Sequence, residues 1–265
     1  MKIIHFNSGL GNQIFQYMFY LYIKNQTKEN VYGYYNKKWL QQHNGLEIHK
    51  VFDIILPKHN KISDIVAFLC RTINKIIPQN RIYSTDKNLN LKSIYFTGYW
   101  QDKKFFKDLD FNLTFRVNVL NEKNRDIVKV IKGTNSVSIH IRRGDYLKEA
   151  SKYGNICTLE YYNKAIEIIR RKVEEPTFFI FSDDIDWARK NFHLEKVFFV
   201  DWNCGTDSYL DMYLMSLCQS HIIANSSFSF WGAYLSKINN ITICPKKWYN
   251  DEVSPDIAPD EWIKI

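Results

Sequence analysis

Short apolar runs alternate with amphipathic stretches along the second half of the chain. The apolar runs have the length of parallel strands buried on both faces, and they cover residues 137–141, 177–181, 197–200, 221–224 and 241–244. The stretches between them repeat apolar side chains at helical spacing, over residues 159–173, 185–191, 209–218 and 228–236. This alternation predicts an α/β domain with crossover helices that begins near residue 134.

The first half begins with a similar unit. Residues 2–6 have the pattern of a strand, the loop NSGLGN follows, and residues 13–24 are amphipathic. The pattern predicts a strand, a loop and a helix. The dinucleotide-binding fingerprint requires a third glycine where this chain has Ile14, so we expect no NAD site there. We predict mostly loop over residues 34–62.

A second helix of the first half is predicted over residues 63–77. Ser63 and Asp64 supply a cap, and Pro78 stops the helix. The apolar positions that form one stripe are Ile65, Val66, Leu69, Ile73, Ile76 and Ile77. A basic amphipathic helix can lie on a membrane surface, but we expect this stripe to pack against the core of its own domain.

Length and composition allow two modest cores. The chain has 265 residues, of which 45% are apolar, enough for one large core or two cores of roughly 130 residues each. Lys132, Gly133 and Thr134 have the composition of a linker. We therefore predict an N-terminal domain over residues 1–133 and a C-terminal domain over residues 134–265, whose last residues could pack back on the first domain.

The net charge of +8 is unevenly distributed. Residues 1–133 contain 21 Lys and Arg against 10 Asp and Glu, whereas residues 134–265 contain 15 against 18. A basic half favours an anionic partner, either a phosphate-bearing substrate, an anionic lipid surface or nucleic acid. No nucleic-acid-binding motif accompanies the charge, so we expect no nucleic acid. Peripheral contact with a membrane through the basic half stays open.

The cysteines and the apolar segments indicate the compartment. Five cysteines form no CxxC pair, which predicts a reducing environment and no structural zinc. The apolar run at the N-terminus is shorter than that of a signal peptide, and nowhere are 18 consecutive residues apolar. We expect a cytoplasmic protein, with a peripheral position at the inner membrane face as the alternative.

The motif HIRRGDY, residues 140–146, places two arginines and a carboxylate where a predicted strand ends. Ligands of open α/β sheets lie beyond the carboxyl ends of strands, and the guanidinium fork matches phosphate oxygens. Successive strand side chains point to opposite faces, so we expect Arg142, on the same side as His140, to bind a diphosphate. Arg143 is then a supporting cation with Asp145 as its expected partner. A solvated surface pair is the alternative.

Two further loops follow predicted strands. After residues 177–181, Asp183 or Asp184 can accept hydrogen bonds from a guanine edge, or one of them can cap the next helix. After residues 221–224, Asn225, Ser226 and Ser227 open a helix, where backbone N–H groups and hydroxyls can bind an anion.

Two DxD sequences, at residues 184–186 and 108–110, are candidates for a divalent metal site that bridges the phosphates of a sugar nucleotide. The first runs into a predicted helix, and the second follows no good strand. Because Arg142 would already supply positive charge, we expect no metal.

Five motifs in this order resemble those of the α-1,2-fucosyltransferases of glycosyltransferase family 11. They are GLGNQIFQY at residues 9–17, GYWQ at 98–101, HIRRGDY at 140–146, FSDD at 181–184 and NSSFSFWGAYL at 225–235. The resemblance implies an α/β fold of GT-B type, with two Rossmann-like domains facing across a cleft. GDP-fucose would be held by the C-terminal domain and a galactose-terminated glycan mainly by the N-terminal one. The chain departs from the family pattern at Ser8, where members usually have glycine, and in its short length.

The resemblance also implies roles for individual residues. Arg142 would contact the diphosphate, His140 and Asp183 would lie near the nucleoside, and Asn12 would approach from across the cleft. The donor-binding residues at the last motif would be Asn225, Ser226, Ser227 and Phe228. Relatives act without metal and invert the anomeric configuration, so no cofactor is expected.

The implied reaction is a single displacement in which galactose O2 attacks fucose C1 while GDP leaves. Arg142 and the helix-start amides would stabilise the leaving charge. Asp145 is a candidate base and Glu149 a second, although Asp145 could instead orient Arg143. The alternatives are a metal-dependent glycosyltransferase of GT-A type and a non-catalytic nucleotide-sugar or glycan-binding module. The basic half also suggests a lipid-linked acceptor.

Overall fold

The computed structural model describes residues 1–41, 43–78, 81–117, 119–238, 240–250 and 254–265. The chain divides into two compact units, Met1–Arg116 and Val117–Ile265. Within the described ranges, no helix is long and apolar enough to cross a membrane.

The division falls before the predicted boundary between residues 133 and 134, because the helix that precedes this boundary packs with the second unit. In that helix, Glu122–Lys132, the buried Asn124 side chain accepts a hydrogen bond from Trp202 Nε1 and donates one to Asn203 Oδ1, both at 2.7 Å. The small and polar residues at 132–134 end the helix, and Gly133 is its C-cap. Composition located this turn and could not show which core the helix joins.

The first unit is a parallel four-stranded sheet with helices. Its strands are β1 (Lys2–Phe6), β2 (Val31–Tyr35), β3 (Tyr83–Thr85) and β4 (Tyr95–Thr97); its helices are α1 (Leu10–Gln26), α2 (Lys37–Leu40), α3 (Ile48–Val51) and α4 (Lys61–Ile76), with a 3₁₀ turn at Lys103–Phe105. The strand order is β2-β1-β4-β3, so β1 and β4 are central. The pattern missed β2, β3 and β4; β3 and β4 have three residues each, too few for a periodicity. The predicted loop over residues 34–62 contains the single-turn helices α2 and α3.

α4 turns its apolar stripe outward. The helix begins with a capping box, in which Asn60 Oδ1 accepts from Ser63 N at 2.8 Å and Ser63 Oγ accepts from Asn60 N at 2.9 Å. Its small residues, Ser63, Ala67 and Cys70, are the buried ones, and Ala67 and Cys70 pack with Ile3 of β1. Of the predicted stripe only Val66 packs on the core. The prediction is wrong for the other five positions, which are exposed, because small side chains form the face that meets the sheet.

The second unit contains a six-stranded parallel sheet. Its elements in chain order are α5 (Glu122–Lys132), β5 (Ser136–Ile141), α6 (Gly144–Lys148), α7 (Ala150–Tyr153), α8 (Leu159–Lys172), β6 (Thr177–Ser182), α9 (Ile185–Asn191), β7 (Val197–Val200), a 3₁₀ turn (Gly205–Asp207), α10 (Tyr209–Leu217), β8 (Ser220–Ile222), α11 (Ser227–Tyr234), β9 (Ile241–Cys244) and β10 (Ile263–Lys264). The predicted strands and helices of this half are present, each within a few residues. The core holds Val137, Ile139 and Phe178 with apolar side chains of α8.

The strand order of this sheet is β10-β9-β8-β5-β6-β7. The first strand, β5, is central; β6 and β7 extend the sheet on one side, and β8, β9 and β10 extend it on the other. This is the strand order of a dinucleotide-binding Rossmann sheet, and the direction of the connections reverses between β5 and β8. The fold therefore marks the carboxyl ends of these two strands as the place for a ligand.

Ser8, between β1 and α1, has a φ of 63°. This is the left-handed region, which glycine adopts without strain and other residues adopt at a cost. Tertiary contacts hold the turn, because Gln13 Nε2 donates to Ser8 O and to Gly45 O, both at 2.8 Å. The glycine usual at this position would fit the same backbone, so the departure at Ser8 changes the strain and leaves the turn in place.

The variant Ser8→Gly is expected to be more stable than Ser8→Ala by about 1 kcal/mol in free energy of unfolding. Both variants lack the hydroxyl, so the comparison isolates the left-handed backbone. Urea unfolding of the two variants measures the difference. Equal midpoints would mean that the turn carries no strain.

Candidate functional site

Three loops of the second unit lie side by side at the carboxyl edge of its sheet. Because β8, β5 and β6 are neighbours, the loops that follow them, beginning at residues 223, 142 and 183, meet at this edge. The site therefore coincides with the point between β5 and β8 where the strand order reverses. All the predicted site residues of the second half belong to these loops or to the strand and helix ends beside them.

Two carboxylates hold Arg142. Its Nε and Nη2 donate to the two oxygens of Asp145 at 2.9 and 3.0 Å, and its Nη1 lies 3.1 Å from Asp183 Oδ2. The side chain stays 32% exposed. A guanidinium has five N–H donors, so these contacts leave two for a ligand. Arg142 is thus oriented and accessible, as its predicted role requires.

Arg143 is directed to a different partner. Its Nε donates to Asp184 Oδ2 at 3.0 Å, and its guanidinium lies 4.1 Å from the centre of the Trp187 ring. The predicted pairing of Arg143 with Asp145 is therefore wrong. Asp145 lies in the first turn of α6 and pairs with Arg142, which precedes the helix, while Arg143 turns toward the loop after β6.

Asp183 fixes the turn after β5. Its two oxygens accept from the backbone N–H groups of Arg143, at 2.8 Å, and Gly144, at 3.2 Å. A Cβ at Gly144 would lie 3.0 Å from Asp183 Oδ2, so glycine permits this close approach. Asp184 caps α9 by accepting from Trp187 N at 3.2 Å, which is the capping alternative. Each of the two carboxylates considered for a guanine edge thus has partners within the protein.

The net charge of this cluster does not favour an anion. Two arginines and the carboxylates of Asp145, Asp183 and Asp184 sum to a formal charge of −1. Two adjacent guanidinium groups therefore do not by themselves make this cluster an anion site. What the geometry offers a phosphate is directed N–H groups, those left on Arg142 and those in the first turn of α11.

His140 is buried on β5 beside the first turn of α11. Its ring centre lies 5.8 Å from that of Phe228, and its Nδ1 has no hydrogen-bond partner. Burial, with a smaller effect of the nearby Arg142 charge, lowers the pKa of His140 to about 3. The imidazole is therefore neutral at physiological pH and can exchange a hydrogen bond with an uncharged group of a ligand.

In the loop after β8, some of the predicted donor-binding residues make hydrogen bonds within the protein and others are partly exposed. Asn225 is buried, and its Nδ2 donates to Trp248 O at 3.1 Å and to Tyr153 O at 3.3 Å, which anchors the loop. Ser226 caps α11 by accepting from Phe228 N at 3.3 Å. Ser227 and Phe228 are half-buried. Of the predicted donor-binding residues in this loop, only Ser227 and Phe228 therefore have side chains placed to contact the donor directly.

Asn12 lies in the first unit, in the first turn of α1. Its Oδ1 accepts from Gln101 Nε2 at 2.9 Å, and Gln16 Nε2 donates to Gly98 O at 3.1 Å. The motifs at residues 9–17 and 98–101 thus meet at the carboxyl ends of the central strands β1 and β4. Trp100 stacks on Phe19 with ring centres 3.7 Å apart, which fixes the second motif.

Asp211 is a titratable group that the sequence analysis missed. It lies in the first turn of α10, where its Oδ1 accepts from Asn203 Nδ2 at 2.8 Å. Burial raises its pKa to about 7 against the opposing effect of that hydrogen bond. Helices α10 and α11 pack together, and both begin at the carboxyl edge of the sheet. The sequence pattern does not single out Asp211, because an acidic residue at the start of a helix is already explained by its interaction with the helix dipole.

No group of three His, Cys, Asp or Glu side chains in the described part of the chain could hold a metal ion. In the first DxD sequence, Asp184 is bonded to Arg143 and to the α9 backbone, and Asp186 lies within α9. The second, at residues 108–110, lies in a turn outside strands and helices.

The whole chain, residues 1–265, matches the model of glycosyl transferase family 11. The chain belongs to this family. An alpha-1,2-colitosyltransferase of Escherichia coli is 34% identical over 283 residues, which cover 97% of this chain and 96% of the relative. The chain is therefore a glycosyltransferase, as predicted, and the non-catalytic module is set aside.

Other members of the family match over part of their length. The O-antigen biosynthesis glycosyltransferase WbnK of Escherichia coli is 35% identical over 56% of this chain and 51% of its own. Galactoside alpha-(1,2)-fucosyltransferase 1 of Saimiri boliviensis boliviensis is 31% identical over 49% of this chain and 38% of its own.

Solved structures bear on the fold. The NodZ alpha-1,6-fucosyltransferase co-crystallised with GDP has a TM-score of 0.51 and 12% identity, with 88% of this chain and 91% of that chain covered. The NodZ fucosyltransferase from Bradyrhizobium gives a TM-score of 0.50 at the same identity and coverage. With the strand orders above, this likeness confirms the predicted α/β fold of GT-B type with two Rossmann-like units. The GT-A alternative is not supported.

Proposed function

We propose that this family 11 glycosyltransferase transfers L-fucose from GDP-fucose to the 2-hydroxyl of a terminal galactose, with inversion at the anomeric carbon and without a metal ion. The observation that carries the proposal is that relatives named for different sugars share one linkage. The full-length relative is an alpha-1,2-colitosyltransferase, and the galactoside relatives are alpha-(1,2)-fucosyltransferases. These relatives thus share the α-1,2 linkage in their names and differ in the sugar that they are named for.

Colitose is a second candidate for the transferred sugar. The relative that covers nearly the whole chain is named for it, whereas the fucosyltransferases match about half of the chain. Colitose is fucose without its 3-hydroxyl. We favour fucose, on the resemblance carried by the five motifs, and the experiment below compares both donors directly.

Transfer requires a group that stabilises the leaving GDP. Of the two motif arginines we assign this role to Arg142, because Arg143 turns toward the loop after β6, where it pairs with Asp184 and stacks on Trp187. With the backbone N–H groups at the start of α11, Arg142 would receive the negative charge that develops on the β-phosphate as the bond to the sugar breaks. Preorganised donors of this kind need no reorientation during the reaction.

Asp145 fits an orienting role better than that of a base. Both of its oxygens are engaged by Arg142, so accepting the galactose proton would require breaking a bidentate pair. Because the sugar develops oxocarbenium character before the nucleophile is fully bonded, a strong base is less necessary. We propose that Asp145 holds the Arg142 fork at the angle that two phosphate oxygens require.

Recognition of the nucleobase needs a carboxylate with free acceptor capacity, because guanine presents adjacent N–H donors. Asp183 and Asp184 use their oxygens within the turn and the α9 cap. Asp211 accepts a hydrogen bond from Asn203 through Oδ1, and α10, like α11, begins after a strand of the parallel sheet, at its carboxyl edge. We infer that Asp211, together with the neutral His140 of β5, recognises guanine in place of Asp183.

The affinity for GDP-fucose is expected to rise with pH if Asp211 binds guanine. With its pKa raised to about 7, Asp211 is largely protonated at pH 6 and largely ionised at pH 8, and only the ionised carboxylate accepts both guanine donors. The gain should be roughly tenfold over this range, then level off. Calorimetric titrations without acceptor measure it, and GDP-fucose has no phosphate proton that titrates there.

Two variants control this experiment. Asp211→Asn should remove the pH dependence, and Asp207→Asn, which changes an exposed acid just before α10, should preserve it. A wild-type affinity that stays constant from pH 6 to 8 would exclude Asp211 from guanine binding.

The function is tested with the purified chain, GDP-fucose or GDP-colitose as donor, and a set of acceptors that end in galactose or another hexose. We expect a galactoside product with the new sugar on O2, detected by mass spectrometry and assigned by NMR, and the same rate after dialysis against EDTA. Transfer of colitose in preference to fucose would mean that GDP-colitose, and not GDP-fucose, is the donor. Transfer to a hydroxyl other than O2 would contradict the linkage, and activity that returns only with added Mn²⁺ would contradict metal independence.

A further inference from the structure

The outer surface of α4 is apolar and exposed. Seven large side chains project from it, and we call them the α4 outer face: Ile62, Ile65, Phe68, Leu69, Ile73, Ile76 and Ile77. Their exposed fractions run from 42% at Ile73 to 75% at Ile76. Isolated exposed apolar residues are common on soluble proteins, but a contiguous surface of this kind marks an interaction site.

The first unit does not need this face for its own stability. The side of α4 that meets the sheet consists of small residues, Ser63, Ala67 and Cys70, and Ala67 is completely buried. At helical spacing, Ile62, Leu69 and Ile73 fall on a different side of the cylinder from this buried strip. Selection for folding alone would put polar residues there.

Basic residues border the face. Lys61, Phe68 and Lys75 are seven residues apart, so they form one row along the helix, and both lysines are exposed. Lys58 and Arg81, at the two ends of the segment, are exposed as well. Asp64 is the one acidic residue from 58 to 81, and the first unit as a whole has 17 Lys and Arg against 8 Asp and Glu.

We propose that the α4 outer face docks on an anionic lipid bilayer, with the helix lying in the plane of the interface. An apolar face about four turns long with lysines along its border is the arrangement of an interfacial helix, whose apolar side chains enter the boundary of the acyl region while the cations meet lipid phosphates. A second copy of the chain is disfavoured as the occupant, because pairing two such faces would bring like-charged lysine rows together. Docking does not depend on which sugar is transferred.

Co-sedimentation of the full chain with vesicles tests the proposal. We expect binding at low salt to vesicles of phosphatidylcholine that contain phosphatidylglycerol, and little binding to phosphatidylcholine alone. Leu69→Gln/Ile73→Gln should weaken the binding by about tenfold or more, because the two apolar side chains no longer enter the bilayer. Lys61→Ala/Lys75→Ala should remove most of the preference for anionic vesicles.

Matched controls use exposed residues of the second unit. Ile238→Gln changes an isoleucine that is 58% exposed, and Lys164→Ala/Lys172→Ala removes two exposed lysines of α8; both variants should bind like wild type. All variants should keep the wild-type melting temperature and transfer activity on a soluble acceptor. Absence of wild-type binding to anionic vesicles overturns the proposal. It is also overturned if the controls lose binding equally, or if Leu69→Gln/Ile73→Gln converts a lipid-free dimer to a monomer.

Discussion

Replacing Arg142 with alanine is expected to lower kcat by at least about 10²- to 10³-fold, the usual cost of losing one preorganised donor to a developing negative charge. The structure adds a reason for a larger loss. Arg142 neutralises Asp145 and Asp183, so its removal leaves two carboxylates beside the position proposed for the diphosphate. Initial rates of sugar transfer at saturating donor measure the effect.

Arg142→Lys separates charge from geometry. Lysine keeps the positive charge but cannot donate in a planar fork to Asp145 and phosphate together, so we expect a kcat between those of alanine and wild type. The melting temperatures of both variants should stay near that of wild type, because Arg142 is partly exposed. If Arg142→Ala retains more than about a tenth of wild-type turnover, the proposed role is wrong.

Replacing Asp183 with alanine is expected to weaken GDP binding by about 10- to 100-fold, although it removes a negative charge from the site. Asp183 satisfies the backbone N–H groups of Arg143 and Gly144 and contacts Arg142. Loss of a partner that orients a binding group typically costs about 10- to 100-fold in affinity, and here the turn that presents Arg142 loses its fixed shape. Calorimetric titration with GDP measures the change.

Whether Asp183→Ala lowers or raises the affinity for GDP shows whether Asp183 acts by holding the turn or by its charge. If only net charge mattered, Asp183→Ala would tighten GDP binding, because the cluster would change from −1 to neutral. Glu175→Gln removes an exposed carboxylate before β6, at the opposite edge of the sheet, and should leave the affinity unchanged.

A second comparison uses IDP, which lacks the guanine 2-amino group. It tests whether Asp183 touches the base. Asp183→Ala should weaken GDP and IDP equally, whereas Asp211→Asn should reduce the preference for GDP. If Asp183→Ala loses the preference for GDP over IDP, Asp183 contacts the base, as the family resemblance implies.

The two halves of the chain differ in how much of the fold their sequence predicts. In the second unit, strands such as β5 and β6 are buried on both faces, so their apolar runs stand out. Caps such as Thr158 before α8 limit the helices. In the first unit, β3 and β4 have three residues each. Their stability comes from pairing with neighbours, which no local pattern records.

The orientation of α4 is the clearest error of pattern analysis. A stripe of large apolar side chains normally identifies the buried face of a helix. Here Ala67 and Cys70 allow close approach to the sheet, and the larger side chains face outward. Periodicity gives the direction of the stripe around the helix axis but does not say which side meets the protein.

The sequence by itself determined the family, through five ordered motifs, and the α/β alternation of the second unit, because both are properties of residues near one another in the chain. Only the tertiary structure decided the partners of the charged residues. Whether Asp145 meets Arg142 or Arg143, and whether Asp183 is committed to a backbone turn, depends on how strands β5 and β6 align side by side, residue against residue. Hydrogen bonds between residues forty positions apart, such as those of Asp183, have no signature in local sequence, since they exist only once the sheet has formed.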